Sequence, residues 1–300
     1  MLPHAPAPSA RARNRARRAL LTAGAVALAA ASVAAPAVAA DDPPDLVPYY
    51  ATPFIRGLNL IPGYDTNWTP QGLAYWPEHD ALVISYYDSS KTPQNSRLAI
   101  IDRSTGARLK IVSLPFTGHV GGLAAKGKYL WVANEGAVTR VRKTDIDATP
   151  DLGQVRTAGA KKVQASSYMT IVGNKMWVGA YDKDQGSKAY RYSLGSRSVP
   201  KFDGHTMNTP AQVQGMAIKG KKVLWSLSTG RDERSTLAIR STKAPTGGGR
   251  NIVAPNMSEG VVIAKGEVHV LYESGSGTYS DASYRVKTVH HAPTAAVFGP

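Results

Sequence analysis

From residue 69 onward, short apolar runs alternate with polar turns that contain glycine, and the pattern recurs. Five segments align without gaps: TPQGLAY (69–75), HVGGLAA (119–125), QASSYMT (164–170), QVQGMAI (212–218) and MSEGVVI (257–263). A turn and a second apolar run follow each: LVISYY, LWVANE, MWVGAY, VLWSLS and VHVLYE. In four copies the turn carries Gly beside Lys or Asn, as in KGK at 126–128 and 219–221. Glycine there supplies the positive φ of a two-residue hairpin loop. Each copy therefore predicts a β-hairpin, and no stretch after the N-terminal region shows sustained helical periodicity.

The third positions of the segments are Gln71, Gly121, Ser166, Gln214 and Glu259, so the spacings are 50, 45, 48 and 45 residues. A period of about 40–50 residues is that of propeller blades and is longer than most helical solenoid repeats. Further strands fill each unit. SRLAIID (96–102) and TGARLKIVSL (105–114) complete the first, and STLAIRS (235–241) matches SRLAIID in the fourth. The expectation is an all-β protein, a five-bladed β-propeller with about four antiparallel strands per blade. Part of Val47–Leu60 is expected to supply the outermost strand of the last blade and close the ring.

The N-terminal region changes this picture. Arg11, Arg13, Arg15, Arg17 and Arg18 precede an Ala- and Leu-rich run from Leu20 to Val33, then the small-residue site Ala37-Val38-Ala39. This pattern predicts a secretory signal peptide over 1–40, a single propeller domain over 41–300 and an extracellular location. The run is too short and Ala-rich to serve as a membrane anchor. Arg17-Arg18 fits a twin-arginine signal, and a Sec signal fits equally. The chain has no cysteine, which excludes disulfides, thiolate metal sites and cysteine nucleophiles. Removing five arginines from 36 Lys and Arg leaves 31 against 21 acids, a mature charge of +10. No nucleic-acid motif accompanies that charge, and a soluble monomer is expected.

Propeller topology turns the alignment into two faces. The inner strands start at the channel mouth, and their antiparallel neighbours end on the same face. Gln71, Gly121, Ser166, Gln214 and Glu259 should ring the mouth, with Asp88, Glu135, Asp182 and Glu273 at the second-strand ends. His119, Asn134, Tyr86, Tyr87, Tyr181 and Tyr272 lie close in sequence. Acids, amides and aromatic rings together suit a polar ligand or sugar. Carboxylate and amide oxygens also suit a divalent cation such as calcium. Gln71, His119, Ser166, Gln214, Asp88, Glu135, Asp182 and Glu273 are the candidate ligand-binding residues. Glu259, a lone acid in a narrow channel, is the candidate general acid or base. The hairpin turns, on the opposite face, carry Lys126, Lys128, Lys175, Lys219, Lys221, Lys222 and Lys265, where an anionic wall polymer could bind. Of the paired His290-His291, one at most can join a given site. Ser235, near Arg231 and Arg234, reads as part of a polar loop.

Residues 69–106 resemble the opening blade of the plant-type glutamine cyclotransferases. The resemblance rests on Gln71-Gly72-Leu73, Ser96-Arg97-Leu98 and the turn Asp102 to Gly106. It implies a secreted five-bladed propeller. That family's second blade opens with an acidic EGL segment bearing the proton-transfer Glu, whereas this chain has Gly121-Gly122-Leu123; Glu259-Gly260 provides an acid in another blade. Two functions follow. The first is a secreted binder of an extracellular glycan, wall polymer or small polar ligand. The second is a channel-centred hydrolase or cyclotransferase-like enzyme using Glu259. With no complete catalytic set visible, the sequence favours the binder. A pocket joining Glu259 to a second acid would favour the enzyme.

Overall fold

The computed structural model describes residues 50, 54–196 and 198–299; the expected signal peptide lies outside them. Strand β1 (Ile55–Arg56) precedes the first sheet, formed by β2 (Trp68–Trp76), β3 (Ala81–Asp88), β4 (Arg97–Asp102) and β5 (Arg108–Ser113). The second holds β6 (Gly122–Lys126), β7 (Tyr129–Asn134), β8 (Ala137–Arg142) and β9 (Thr157–Lys162). The third holds β10 (Tyr168–Val172), β11 (Lys175–Gly179), β12 (Lys188–Leu194) and β13 (Pro200–Asn208). The fourth holds β14 (Val213–Lys219), β15 (Lys222–Leu227), β16 (Ser235–Ser241) and β17 (Arg250–Ala254). In the fifth, β18 (Ser258–Ala264), β19 (Glu267–Tyr272) and β20 (His290–Pro293) are completed by β1, where Ile55 pairs with His291. The protein is a five-bladed β-propeller of antiparallel four-stranded blades, and its N-terminal strand closes the last blade.

Each repeat segment enters the innermost strand of its blade, and each inner strand packs against its neighbours around the ring. The glycine after the third position explains why the motif recurs. A Cβ on Gly260 would lie 2.5 Å from the Leu73 amide nitrogen, and one on Gly215 would lie 2.5 Å from the Glu259 carbonyl oxygen. In these blades adjacent inner strands approach too closely there for any side chain, whereas the third blade carries Ser167 at this position. In blades one, four and five the register also shifts across this point, between Pro70 and Leu73, Val213 and Gly215, and Ser258 and Val261. Such bulges re-aim a side chain at a barrel or propeller rim.

The hairpin turns sit at the far ends of the inner strands, so the seven turn lysines occupy the opposite face. Gly127 (φ 53°), Gly173 (φ 59°) and Gly220 (φ 60°) take the left-handed conformation predicted for the turns. Several lysines are already engaged. Lys175 pairs with Asp203 at 2.9 Å, Lys219 donates to Thr294 Oγ1, and Lys222 donates to the Phe298 carbonyl.

The core lies between blades. Sheets diverge away from the axis, so the outer gaps need filling. Helix α1 (Lys143–Ala148) fills the gap between blades one and two, burying Ile146 with Val112, Leu114 and Val141. Helix α2 (Thr294–Phe298) does the same between blades four and five through Val297 and Phe298. No helix among the described residues is long and apolar enough to cross a membrane.

Candidate functional site

The channel mouth holds a cavity of about 450 Å3 walled by residues from all five blades. Gln71, His119, Glu135, Ser166, Gln214 and Glu273 line it, joined by Tyr87, Asn134, Tyr181 and Tyr279. The repeat alignment thus gathers six of the eight expected ligand-binding residues in one wall. The other two turn aside. Asp88 is buried and accepts from the amides of Ser90 and Gln94 at 2.9 Å, capping its own loop. Asp182 accepts from the amides of Asp184 and Gln185 in the same way. In both, a carboxylate at a strand end finds its donors in the next turn, which is the commonest use of Asp there.

Glu259 also departs from the expectation of a lone acid facing the ligand. It sits in the bulge of β18, only 1% exposed, and is not part of the cavity wall. Glu273 occupies that wall, from a one-turn 3-10 helix (Glu273–Gly275) directly after β19. Its amide donates to the Met257 carbonyl, which brings it beside the start of β18. The two carboxyls share a hydrogen bond. No donor from elsewhere reaches Glu259 Oε1. Burial, then the neighbouring Glu273 charge, push the Glu259 carboxyl well above the carboxylate range. Burial raises Glu273 to about 7, and hydrogen bonds from Gln71, Tyr279 and Glu259 moderate the shift. Two contacting carboxyls in a poorly solvated site cannot both ionise, so one proton stays on the pair. Glu259 is the more deeply buried of the two, which favours its keeping that proton and leaves Glu273 to titrate.

The surroundings hold Glu273 in place. Gln71 Nε2 donates to Glu273 Oε2 at 3.0 Å and to the Pro70 carbonyl at 3.1 Å. Tyr279 comes from a second 3-10 turn (Gly277–Tyr279), and its hydroxyl lies 3.4 Å from that of Tyr87. Tyr87 stacks on His119 with ring centroids 4.5 Å apart. Asn134 Oδ1 accepts from the Val120 amide, and its Nδ2 donates to the Thr117 carbonyl, fixing the loop that carries His119. Ser166 Oγ accepts from the Gly136 amide, so this hydroxyl braces the neighbouring loop. Tyr279 was not foreseen. Its only sequence signal is the long Gly/Ser/Tyr-rich segment after β19, which resembles an ordinary loop.

Other expectations resolve plainly. Ser235 is fully buried in β16 and its Oγ accepts from the Ser258 amide, so it belongs to the sheet and not to a polar loop. His290 meets the Tyr50 hydroxyl at 2.8 Å, whereas His291 meets Glu267 at 2.9 Å, and the pair does point to opposite sides. Among the described residues no group of three or more His, Asp or Glu is placed to hold a metal. Glu259, Glu273 and the Gln71 amide fall short of the roughly six to eight oxygens that calcium takes. The Asp102 turn caps itself, with Asp102 Oδ1 accepting from the amides of Ser104 and Thr105.

No family model and no curated protein matches the chain. Solved structures do. The chain is similar to the tail fiber of Staphylococcus aureus phage P68, at 12% identity and a TM-score of 0.51, over 80% of this chain and 52% of that one. It is similar to Kuenenia stuttgartiensis hydrazine synthase at 15% identity and a TM-score of 0.41, over 71% and 56% of the two chains. A GH43_1 enzyme from Xanthomonas citri is matched at 11% identity and a TM-score of 0.48, over 76% and 88%. The chain spans about half the length of the first two. At such identities the likeness concerns the fold alone. It does not bear on the resemblance of the first blade to glutamine cyclotransferases.

Proposed function

We propose that this is an extracellular enzyme whose channel mouth performs general acid–base chemistry on a small polar substrate, with Glu273 as the group that moves the proton. The observation that carries this reading is the hydrogen-bonded pair of Glu259 and Glu273 at the cavity, with Glu273 raised to about 7. An acid or base is most effective when its pKa lies near the working pH. Glu259 does not touch the substrate in this reading. It donates a hydrogen bond that holds Glu273 in position.

The pair sits too close for a two-carboxylate glycosidase. Those need carboxyls about 5 Å or more apart, on opposite sides of the scissile bond. One carboxylate that first accepts and then returns a proton suits acyl transfer at an amide or ester. The proton leaves the attacking O–H or N–H for Glu273 as the new bond to carbon forms. The same proton then passes to the leaving nitrogen or oxygen as the old bond breaks. Water as nucleophile gives hydrolysis. An amine within the substrate gives cyclisation, the reaction suggested by the resemblance of the first blade. No Lys or Arg lines the cavity, so a neutral or cationic substrate fits and an anion does not. Tyr87, Tyr181 and Tyr279 offer apolar ring surface.

The test is turnover of a panel of neutral and cationic amides, esters and glutaminyl peptides, followed by mass spectrometry, with Glu273→Gln beside the native protein. Turnover lost in the variant by about 10²–10⁴-fold supports the reading. Turnover unchanged in Glu273→Gln overturns it. Binding of a panel member without any turnover would instead support a binding protein.

A further inference from the structure

We propose a second, separate ligand site: the outer groove between blades two and three binds a small organic anion with an apolar body, such as a free long-chain carboxylate. The groove is about 790 Å3, and its lining comes from β9, β12, β13 and the short segments that follow β9 and precede β13. Val163, Tyr192, Val199, Pro200 and Phe202 give it an apolar floor, and Lys161, Lys162 and Lys201 give it charge. No acid is among its lining residues.

Three observations converge here. The first is the missing filler. Blades one and two, and blades four and five, are wedged apart by α1 and α2, whose Ile146, Val297 and Phe298 complete the inter-blade cores. No helix occupies the corresponding place between blades two and three among the described residues. The second is apolar exposure. Val199 is 42% exposed and Phe202 38%, although Val163 and Tyr192 beside them belong to the core of this blade pair. Phe202 is held at a ring-centroid distance of 5.7 Å from Tyr192 and 6.1 Å from Tyr190, so the floor is a built aromatic surface. The third is charge complementarity. The nearest acid in sequence, Asp203, is already paired with Lys175 and Arg191, which leaves Lys161, Lys162 and Lys201 without a carboxylate partner among the described residues.

An occupant must therefore supply what α1 and α2 supply elsewhere, an apolar body, and also an anionic group for the lysines. The volume lies within the range of sites that enclose one small molecule, roughly 300–1,000 Å3. That favours a single free acid over a lipid surface or an acidic polymer. The lysines would hold the carboxylate at the rim, while the alkyl or aryl part covers Phe202, Val199 and Pro200. The site faces outward from the propeller and shares no residue with the channel-mouth cavity.

The experiment is titration of the protein with dodecanoate at neutral pH, monitored calorimetrically and by displacement of the fluorescent aryl sulfonate 8-anilinonaphthalene-1-sulfonate. Dodecanol and anionic phospholipid vesicles are run in parallel. One dodecanoate should bind per chain, displacing the dye, and dodecanol should bind more weakly. Reversing the charge of Lys161, Lys162 and Lys201 to Glu should weaken dodecanoate by roughly tenfold or more, as expected for three exposed charge contacts. These side chains are on the surface, so the fold should tolerate the change. Phe202→Ser, a second variant, should weaken dodecanoate and the dye together. Binding unaffected by either variant, no binding at all, or vesicles bound in preference to the free acid would overturn the proposal. So would a concentration-dependent dimer that the same substitutions dissociate, since a second copy would then be the occupant.

Discussion

The carboxyl of Glu259, buried in the bulge of β18, hydrogen-bonds the carboxyl of Glu273 in the turn after β19. The first is sealed from the cavity and the second is open to it. That asymmetry makes one an internal proton donor and the other a group that titrates near neutrality. Two neighbours tune it from other elements, the Gln71 amide at 3.0 Å and the Tyr279 hydroxyl.

The pH dependence of activity should follow Glu273. As the base it must be ionised, so turnover should rise with pH through about 7. Glu259→Gln keeps a donor toward Glu273 and should leave that limb nearly in place. Glu259→Leu removes the donor, which destabilises the ionised form, and should move the limb upward. A pH–rate profile of the three proteins checks this. A limb that stays put in the Leu variant would show that the contact does not tune Glu273.

Stability should also respond to the pair, in a defined direction. Both carboxyls hold protons more tightly when folded than when unfolded, where Glu titrates near 4.3. The folded state therefore binds more protons above that value, and stability falls as pH rises from about 4.5 through about 7. In the double variant Glu259→Gln, Glu273→Gln this loss should disappear. Urea unfolding midpoints at several pH values read it directly, and equal slopes in both proteins would contradict it.

The acid side should be governed by buried histidine. Burial lowers His269 to about 4, so the folded state keeps it neutral while the unfolded chain protonates it. Stability should be lost as pH falls from about 6.5 through about 4. His269→Leu should flatten that part of the curve, because its Nε2 has no hydrogen-bond partner to forfeit. Unchanged acid sensitivity in the variant would place the effect elsewhere.

Two glycines should differ by mechanism. Gly260→Ala puts a Cβ 2.5 Å from the Leu73 amide nitrogen, and backbone there cannot yield cheaply. It should cost about 3 kcal/mol or more, near the upper end for overpacking. Gly127→Ala meets nothing within 4 Å but must hold φ 53°, and should cost about 1 kcal/mol. Denaturation of both variants gives the comparison. Equal costs would remove the close-approach account of the repeat.

Ring closure rests on a buried contact. Tyr50 stacks on Phe54, and its hydroxyl meets both the Tyr272 hydroxyl and His290 Nδ1. Tyr50→Phe leaves the two partners buried without it and should cost about 1–3 kcal/mol. A thermal shift in the purified variant measures this, and a neutral substitution would mean the hydroxyl is dispensable to closure.

The five inner segments, the hairpin turns and the blade number were all written in the sequence. Each is a local pattern with a local cause: short apolar runs, positive φ at Gly127 and Gly220, and a glycine after the third position in four of the five inner segments. The same alignment named Gln71, Gln214 and Glu273 as neighbours, because propeller topology converts equal positions into one ring. Which acid faces the cavity was a different kind of question. The alignment marks Glu259 as the exception among channel-mouth residues, but only the bulge of β18 and the turn after β19 decide that it is buried and that Glu273 lines the cavity in its place. Tyr279 and the capping roles of Asp88 and Asp182 were likewise invisible, since each depends on where a loop folds back. Repeats encode what every blade shares. The site is built from what the blades do not share, and those differences acquire meaning only when distant segments are brought within hydrogen-bonding distance.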